Sequence, residues 1–343
     1  MKKVIRTVGL ASMATLLVFA SSCKKDEGNG DVTLKANIPQ MELVNVDGER
    51  AYIDEDYLFN WNEHDQIRVY NLSADATKSS SAVFNNVSGE GYTAYFAGPS
   101  VGRKKELGYF IAYPASRTAG EPDELEIENR ETFTLAETQS FACYVSEAHP
   151  FSMIDGTSML MALKTDNLNQ DLTLHHVCGM SRIGLHARNG QDVYVKRVAV
   201  TDNTFNLTGT AQVKVPAVDT DELRDLIDEF IAGNDAAYAN HFQDYVINTL
   251  GYNAHPTGKT ITMECLVDGA PVRLETGTNN TYFNFMLRPI AFGNGFTVEV
   301  TLCDAAGNNE QTLTIDRWAQ PNRAYAAKPG VIKTFNYPYV IEY

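Results

Sequence analysis

Val32-Thr33-Leu34-Lys35-Ala36-Asn37-Ile38 sets apolar residues at 32, 34, 36 and 38 and polar residues between them. In an extended chain successive side chains point to opposite faces, so this stretch reads as a β-strand with one buried face. Pro39 stops it. The same alternation, rich in Val, Ile, Thr, Tyr and Phe, recurs at Gln66 to Leu72, Tyr92 to Phe96, Leu107 to Tyr113, Leu172 to His186 and Val193 to Thr201. It continues at Thr210 to Val215, Thr260 to Val267, Tyr282 to Leu287, Phe296 to Cys303 and Gln311 to Trp318. Many short strands without interleaved helices favour a mainly β chain of antiparallel sandwiches over a doubly wound parallel sheet.

A chain of 343 residues is long enough for two such domains. The polar run Lys164 to Asp171 separates two apolar strands and sets the boundary, giving an N-terminal domain over 31–167 and a C-terminal domain over 168–343. One stretch departs from the strand pattern. After Thr220 as N-cap, Leu223, Leu226, Ile227, Phe230 and Ile231 recur at helical spacing up to Gly233. Tyr238, Phe242, Tyr245, Val246 and Thr249 then repeat the spacing up to Gly251, so a helical insertion of the second domain is predicted over about 220–250.

Residues 1–22 read as a secretory signal: Lys2, Lys3 and Arg6 precede an apolar run from Val8 to Ala20, and Ala20-Ser21-Ser22 leads into Cys23. Cys23 after small residues resembles a bacterial lipobox, which makes it the lipidation site and the membrane anchor of the mature chain. Residues 23–30 form a polar tether, and its Lys24-Lys25-Asp26-Glu27 run resembles an export signal to the outer face of the outer membrane. With 28 basic residues against 43 acidic ones and no basic stripe, nucleic acid is excluded as a partner.

No nucleophile elbow, phosphate loop or zinc-binding helix is present, so no catalytic residue is assigned and no cofactor is expected. His175-His176 cannot grip one metal, because neighbours on a strand face opposite ways. Asp54-Glu55-Asp56 and Glu124, Glu126 and Glu128 read as solvated acids. Asp304 to Glu310 reads as a hairpin turn around Gly307 and Asn308 and not as a calcium loop, so no metal ligand is named. Cys143, Cys178, Cys265 and Cys303 each lie in an apolar run and read as buried free thiols. Trp61 and Trp318 with Tyr337, Tyr339 and Tyr343 offer a sugar-stacking platform, against a default of core and sheet packing.

The two ends of the folded region carry the functional reading. Met41 to Arg50 reads as a loop with Asp47-Gly48, leaving Arg50 open to a trypsin-like protease. Cleavage between Arg50 and Ala51 would release the first strand with its anchor. Val331, Phe335, Tyr337, Tyr339, Ile341 and Tyr343 share one parity, interrupted by Lys333, and read as a long terminal strand. A sandwich that loses its first strand exposes an apolar groove and unpaired backbone, which a strand from another molecule can satisfy.

Several stretches resemble the fimbrillin family of Bacteroidetes: the lipobox at Cys23, the Arg50-Ala51 pair, Phe59 to Tyr70, and Phe110-Ile-Ala-Tyr-Pro114. Leu172 to Gly184, Val193 to Val200, Leu207 to Ala211 and Ala327 to Ile332 extend the likeness over nearly the whole chain. The resemblance implies two tandem transthyretin-like sandwiches, a lipid-anchored precursor, removal of the first strand and assembly by strand exchange. Carried across, Arg50–Ala51 is the scissile bond, and Val32, Leu34, Ala36 and Ile38 belong to the donor strand and its groove. Glu49 beside the cleavage site and the helical insertion depart from that pattern.

The function implied is that of a fimbrial subunit or accessory tip adhesin at the outer membrane. Its partners are other subunits or copies of itself, with a host or bacterial surface ligand. The alternative is a surface lipoprotein that binds glycans or host matrix without polymerising.

Overall fold

The structure is a computed structural model that describes residues 31–39, 42–45, 50–51, 61, 63–88, 92–115, 130–140, 142–146, 149–153, 161–176, 178–214, 253–287, 290–292, 294–320, 325–328 and 330–343. Among them the chain is nearly all β, with a single 3-10 turn at Ala76–Lys78 and no α-helix. The helical insertion expected at 220–250 lies outside the described residues, as do Asp54-Glu55-Asp56, Glu124, Glu126, Glu128 and Cys23.

An eight-stranded sheet runs in the order Leu172–Thr173, Asp31–Asn37, Thr93–Pro99, Ser80–Ser88, Gln66–Leu72, Gly108–Tyr113, Met161–Thr165, His175–His176. One face buries Leu34, Ile67, Val69, Phe84, Phe96, Ile111 and Leu163 around Trp61. Trp61 lies edge-to-face with Phe96 and Tyr113, with ring centroids 4.9 Å and 5.1 Å apart. Part of the opposite face, with Tyr70, Leu72, Phe110, Ala112 and Ala162, joins the core of the second half. Gly108–Tyr113 is therefore buried at every position.

The second half is a sandwich. One sheet runs Thr281–Leu287, Gly179–Leu185, Val331–Asn336, Glu42–Asn45, Arg50–Ala51. The other centres on Tyr194–Asp202, which pairs with Thr260–Glu264, Ala270–Arg273 and Phe296–Cys303. Ile183, Phe283, Phe285 and Phe335 of the first sheet and Val198, Val200, Ile261 and Val298 of the second fill one core. Phe296 stacks on Trp318 at 5.5 Å and meets Phe335 edge-on at 4.8 Å, tying the layers together.

Four expectations need correction. The sheets are mixed: Gly179–Leu185 and Glu42–Asn45 both run parallel to Val331–Asn336, and Asp31–Asn37 and Thr260–Glu264 each have a parallel neighbour. Parallel neighbours demand a long crossover, and these partners are far apart in sequence. The run Leu172 to His186 is three strands, Leu172–Thr173, His175–His176 and Gly179–Leu185, that cross from the first sheet to the second. The crossing occurs where Gly179 lies so close to the backbone of Lys328 that a Cβ would come within 2.3 Å of its carbonyl oxygen. Glu42–Asn45 is a strand and not part of a loop. The terminal strand ends at Asn336, not Tyr343; Pro338 follows, and only Ile341 forms a further bridge, to Ala187.

The sheets also share strands across residue 167. Glu42–Asn45, Arg50–Ala51 and Thr138–Ser140 pair within the second half, and Leu172–Thr173 and His175–His176 pair within the first sheet.

Candidate functional site

The first strand, Asp31–Asn37, pairs antiparallel with Thr93–Pro99 over its whole length, from Asp31 opposite Pro99 to Asn37 opposite Thr93. Its other side is paired with Leu172–Thr173 only at Ala36 and Asn37. Over Asp31 to Lys35 the outer edge has no strand partner among the described residues. The alternation read from sequence holds: Leu34 is 1% exposed, Ala36 0% and Ile38 6%, while Val32 is half-buried. Each fully buried Leu or Ile contributes about 1.5 to 3 kcal/mol.

The end of the strand is pinned more firmly than its start. The Ile38 amide donates to the Tyr92 carbonyl at 2.8 Å, and the Leu174 amide donates to the Asn37 carbonyl at 3.2 Å. The Trp61 indole N–H donates to the Ala36 carbonyl at 3.2 Å. His176 is the inward member of the histidine pair, and its Nε2 lies 2.7 Å from the Pro39 carbonyl oxygen, where the chain leaves the strand. Burial pulls the His176 pKa down to about 4, so at neutral pH it is an uncharged imidazole whose Nε2–H donates to that carbonyl. On the outward face Lys35 forms an exposed ion pair with Asp171.

Arg50 and Ala51 form the outermost strand of the five-stranded sheet, opposite Val44 and Leu43. The outer edge of this pair has no strand partner among the described residues. The ribbon that ends at Arg50 holds two strands, one in each half of the molecule: Asp31–Asn37 in the first sheet and Glu42–Asn45 beside Val331–Asn336. Sequence reading missed the second of these. Four residues are too few to show a period, and the signal available was only the apolar pair Leu43-Val44 between Pro39 and Asp47.

The other candidates have structural roles. Trp61 and Trp318 are 2% and 3% exposed, so neither can stack on a sugar and the five-aromatic platform does not form. Tyr339 is 61% exposed and sits edge-on to Tyr337 at 5.5 Å, whereas the Tyr343 hydroxyl donates to the Asn309 carbonyl at 2.7 Å. The Asp304 carboxylate accepts from the Ala306 and Asn308 amides at 2.9 Å each and from Asn309 Nδ2 at 2.8 Å. The Asn308 amide bond holds its pKa below the usual carboxylate range, and the loop closes as a turn. Positive φ falls at Gly307 and Asn309, one residue later than the expected Asn308. Cys178, Cys265 and Cys303 are free and buried, and burial pushes their thiols up, away from the reactive thiolate. The Cys143 side chain lies outside the described residues. Among the described residues no three His, Cys, Asp or Glu side chains converge as a metal site.

No family model and no curated protein matches the chain. Similar solved structures include a candidate cell adhesion protein from Bacteroides ovatus, at 14% identity and TM-score 0.45, covering 90% of this chain and 92% of that one. A fimbrial protein from the same species matches at 12% identity and TM-score 0.35, covering 90% of this chain but 49% of that one. The tip fimbrial protein of Porphyromonas gingivalis matches at 8% identity and TM-score 0.29, covering 83% and 81%.

Proposed function

We propose that this chain is a fimbrial subunit or accessory tip adhesin of a bacterial outer surface, joined to its neighbours by β-strand exchange. The observation that carries this reading is the first strand, which has a full hydrogen-bonded ladder on one side and a two-residue contact on the other. Such a ribbon can leave without breaking the middle of a sheet, and its loss uncovers both apolar seats and unpaired backbone.

Cleavage between Arg50 and Ala51 frees the Glu42–Asn45 strand with the first strand, so two vacancies open together, along Thr93–Pro99 and along Val331–Asn336. Val32, Leu34, Ala36 and Ile38 mark the seats of the first vacancy. Because Cys23 precedes the ribbon, the same cut detaches the subunit from the lipid that anchors it to the outer membrane. The partners are other subunits or copies of this chain, and no step requires catalysis by the chain itself.

Electron microscopy of material sheared from cells that make the full chain, with N-terminal sequencing of the filaments, tests this reading. Filaments that begin at Ala51 support it. Filaments that retain a lipidated Cys23 contradict the cleavage step. A monomer that binds a glycan array and forms no filaments favours the non-polymerising lipoprotein instead.

A further inference from the structure

Beside the first strand lies a polar cleft of about 230 Å³, walled by Ser100 and Lys104 from one loop and by Asp166, Asn167 and Asn169 from another. Val32 and Leu168, both half-buried, form its apolar part. Each loop is fixed from within. The fully buried Asn71 side chain donates to the Val101 and Arg103 carbonyls at 3.0 and 2.7 Å, and its oxygen accepts from the Lys105 backbone amide at 2.9 Å. The Tyr109 hydroxyl donates to the Gly102 carbonyl at 3.1 Å. In the facing loop the Thr165 hydroxyl accepts from the Asn167 backbone amide at 3.1 Å, and Asn167 Oδ1 accepts from the Asn169 backbone amide at 2.9 Å. The exposed Lys104–Asp166 ion pair, at 3.3 Å, joins the two loops. The walls are thus preformed, and a ligand need not pay to order them.

What those bonds leave over describes the occupant. Asn167 Nδ2, the Asn169 side-chain amide and the Ser100 hydroxyl hydrogen have no partner among the described residues, and Asp166 keeps Oδ2 as an acceptor. Lys104 and Asp166 cancel in charge, so the lining offers donors and acceptors side by side with no net charge. An anion would meet the Asp166 carboxylate and a cation the Lys104 ammonium. A hydroxyl both donates and accepts, so a neutral molecule with several adjacent hydroxyls matches this set. Its C–H face can rest on Val32 and Leu168. The volume falls below the about 300 to 1,000 Å³ of drug-sized pockets, which leaves room for a single ring. We infer that this cleft binds one neutral pyranose unit of a surface glycan, with Asn167, Asn169 and the Lys104–Asp166 pair bonding its hydroxyls. This deepens the adhesin part of the proposed function and rests on it for its use at a surface, but the site itself needs neither cleavage nor filaments. Because Val32 belongs to the first strand, an occupied cleft also holds that strand in place.

Saturation-transfer difference NMR on the intact chain tests this with the methyl pyranosides of glucose, galactose, mannose and N-acetylglucosamine. At least one is expected to bind with a Kd of about 1 to 10 mM, the scale for about a dozen non-hydrogen atoms. Asn169→Ala and Lys104→Met are each expected to weaken that binding at least about fivefold. Both side chains are exposed, so the melting temperature should not move. No binding by any pyranoside, or binding unchanged in both variants, overturns the site. Binding of glucuronate or inorganic sulfate alone overturns the neutral-sugar class. A second measurement needs no variant. With the sugar at about ten times its Kd, the amides of Asp31–Asn37 are expected to exchange about tenfold more slowly, and unchanged exchange overturns the placing of the ligand against Val32. Filaments without sugar binding remove the site and leave assembly standing, whereas sugar binding without filaments does the reverse.

Discussion

The first strand and the strand Val331–Asn336 carry comparable apolar residues but are held in opposite ways. Val331–Asn336 has parallel neighbours on both sides and buries every residue except the last. Asp31–Asn37 has one complete neighbour, one short one, and an alternating pattern that leaves its second face toward solvent. Both strands have two ladders; on the strand-exchange reading they differ in how the second is spread, confined to Ala36 and Asn37 at the end of the first strand but running from Val331 to Thr334 along the other. Each broken backbone bond that water can replace costs little net, while each buried group left without a partner costs its full desolvation.

That contrast can be broken by substitution. Phe335→Ala removes a ring in contact with Phe296, Trp318 and Tyr325, and is expected to destabilise the whole chain by about 3 to 5 kcal/mol in urea unfolding. Loss of only the first sheet in that variant would contradict the assignment of Phe335 to the permanent core.

The pH dependence at the junction is expected to be next in size. His176 is neutral in the folded chain, with its pKa near 4 against an unfolded value near 6.5, so its contribution is full above pH 6.5 and is lost as pH falls toward 4. The expected loss is about 3 kcal/mol over that window, and it arises from burying a charged ring, since the bond to the Pro39 carbonyl itself favours the protonated form. His176→Gln retains a donor but does not titrate in this range. Unfolding curves at several pH values should therefore be flatter for the variant between pH 6.5 and 4, and identical slopes would remove His176 as the cause.

Leu34→Ala is expected to cost about 2 to 3 kcal/mol, toward the low end for a core leucine because a strand near an edge can relax into the space. In the chain cleaved at Arg50 it should speed loss of the ribbon, measured by native mass spectrometry. At the bottom of the scale, Lys35→Ala breaks only an exposed ion pair with Asp171 and should leave both stability and ribbon retention within error of wild type.

The same contrast explains what the sequence could reveal. Val32 to Ile38 was legible because one face meets solvent, and only then does a period of two appear. Gly108–Tyr113 falls within the expected strand Leu107 to Tyr113, but Gly179–Leu185 is merged into one expected strand Leu172 to His186, because burial on both sides erases the alternation that would have told which residues face which layer. At the C-terminal end parity misled. Lys333 and Thr334 are buried along with their neighbours, and the shared parity of Tyr337, Tyr339 and Tyr343 continues past Pro338 into a segment that is not a strand. For Trp61 and Trp318 the default of core packing holds and the sugar platform does not, because an aromatic side chain reads the same inside and outside and only its burial decides between them.

The removability of the first strand, on which the functional account stands, is tested most directly by hydrogen exchange on the intact chain, followed by mass spectrometry of peptides from both regions. The slowest amides of Asp31–Asn37 should exchange through a partial opening, faster than those of Val331–Asn336, which should exchange only on global unfolding. Equal protection of the two, lost together in one cooperative step, would contradict the account.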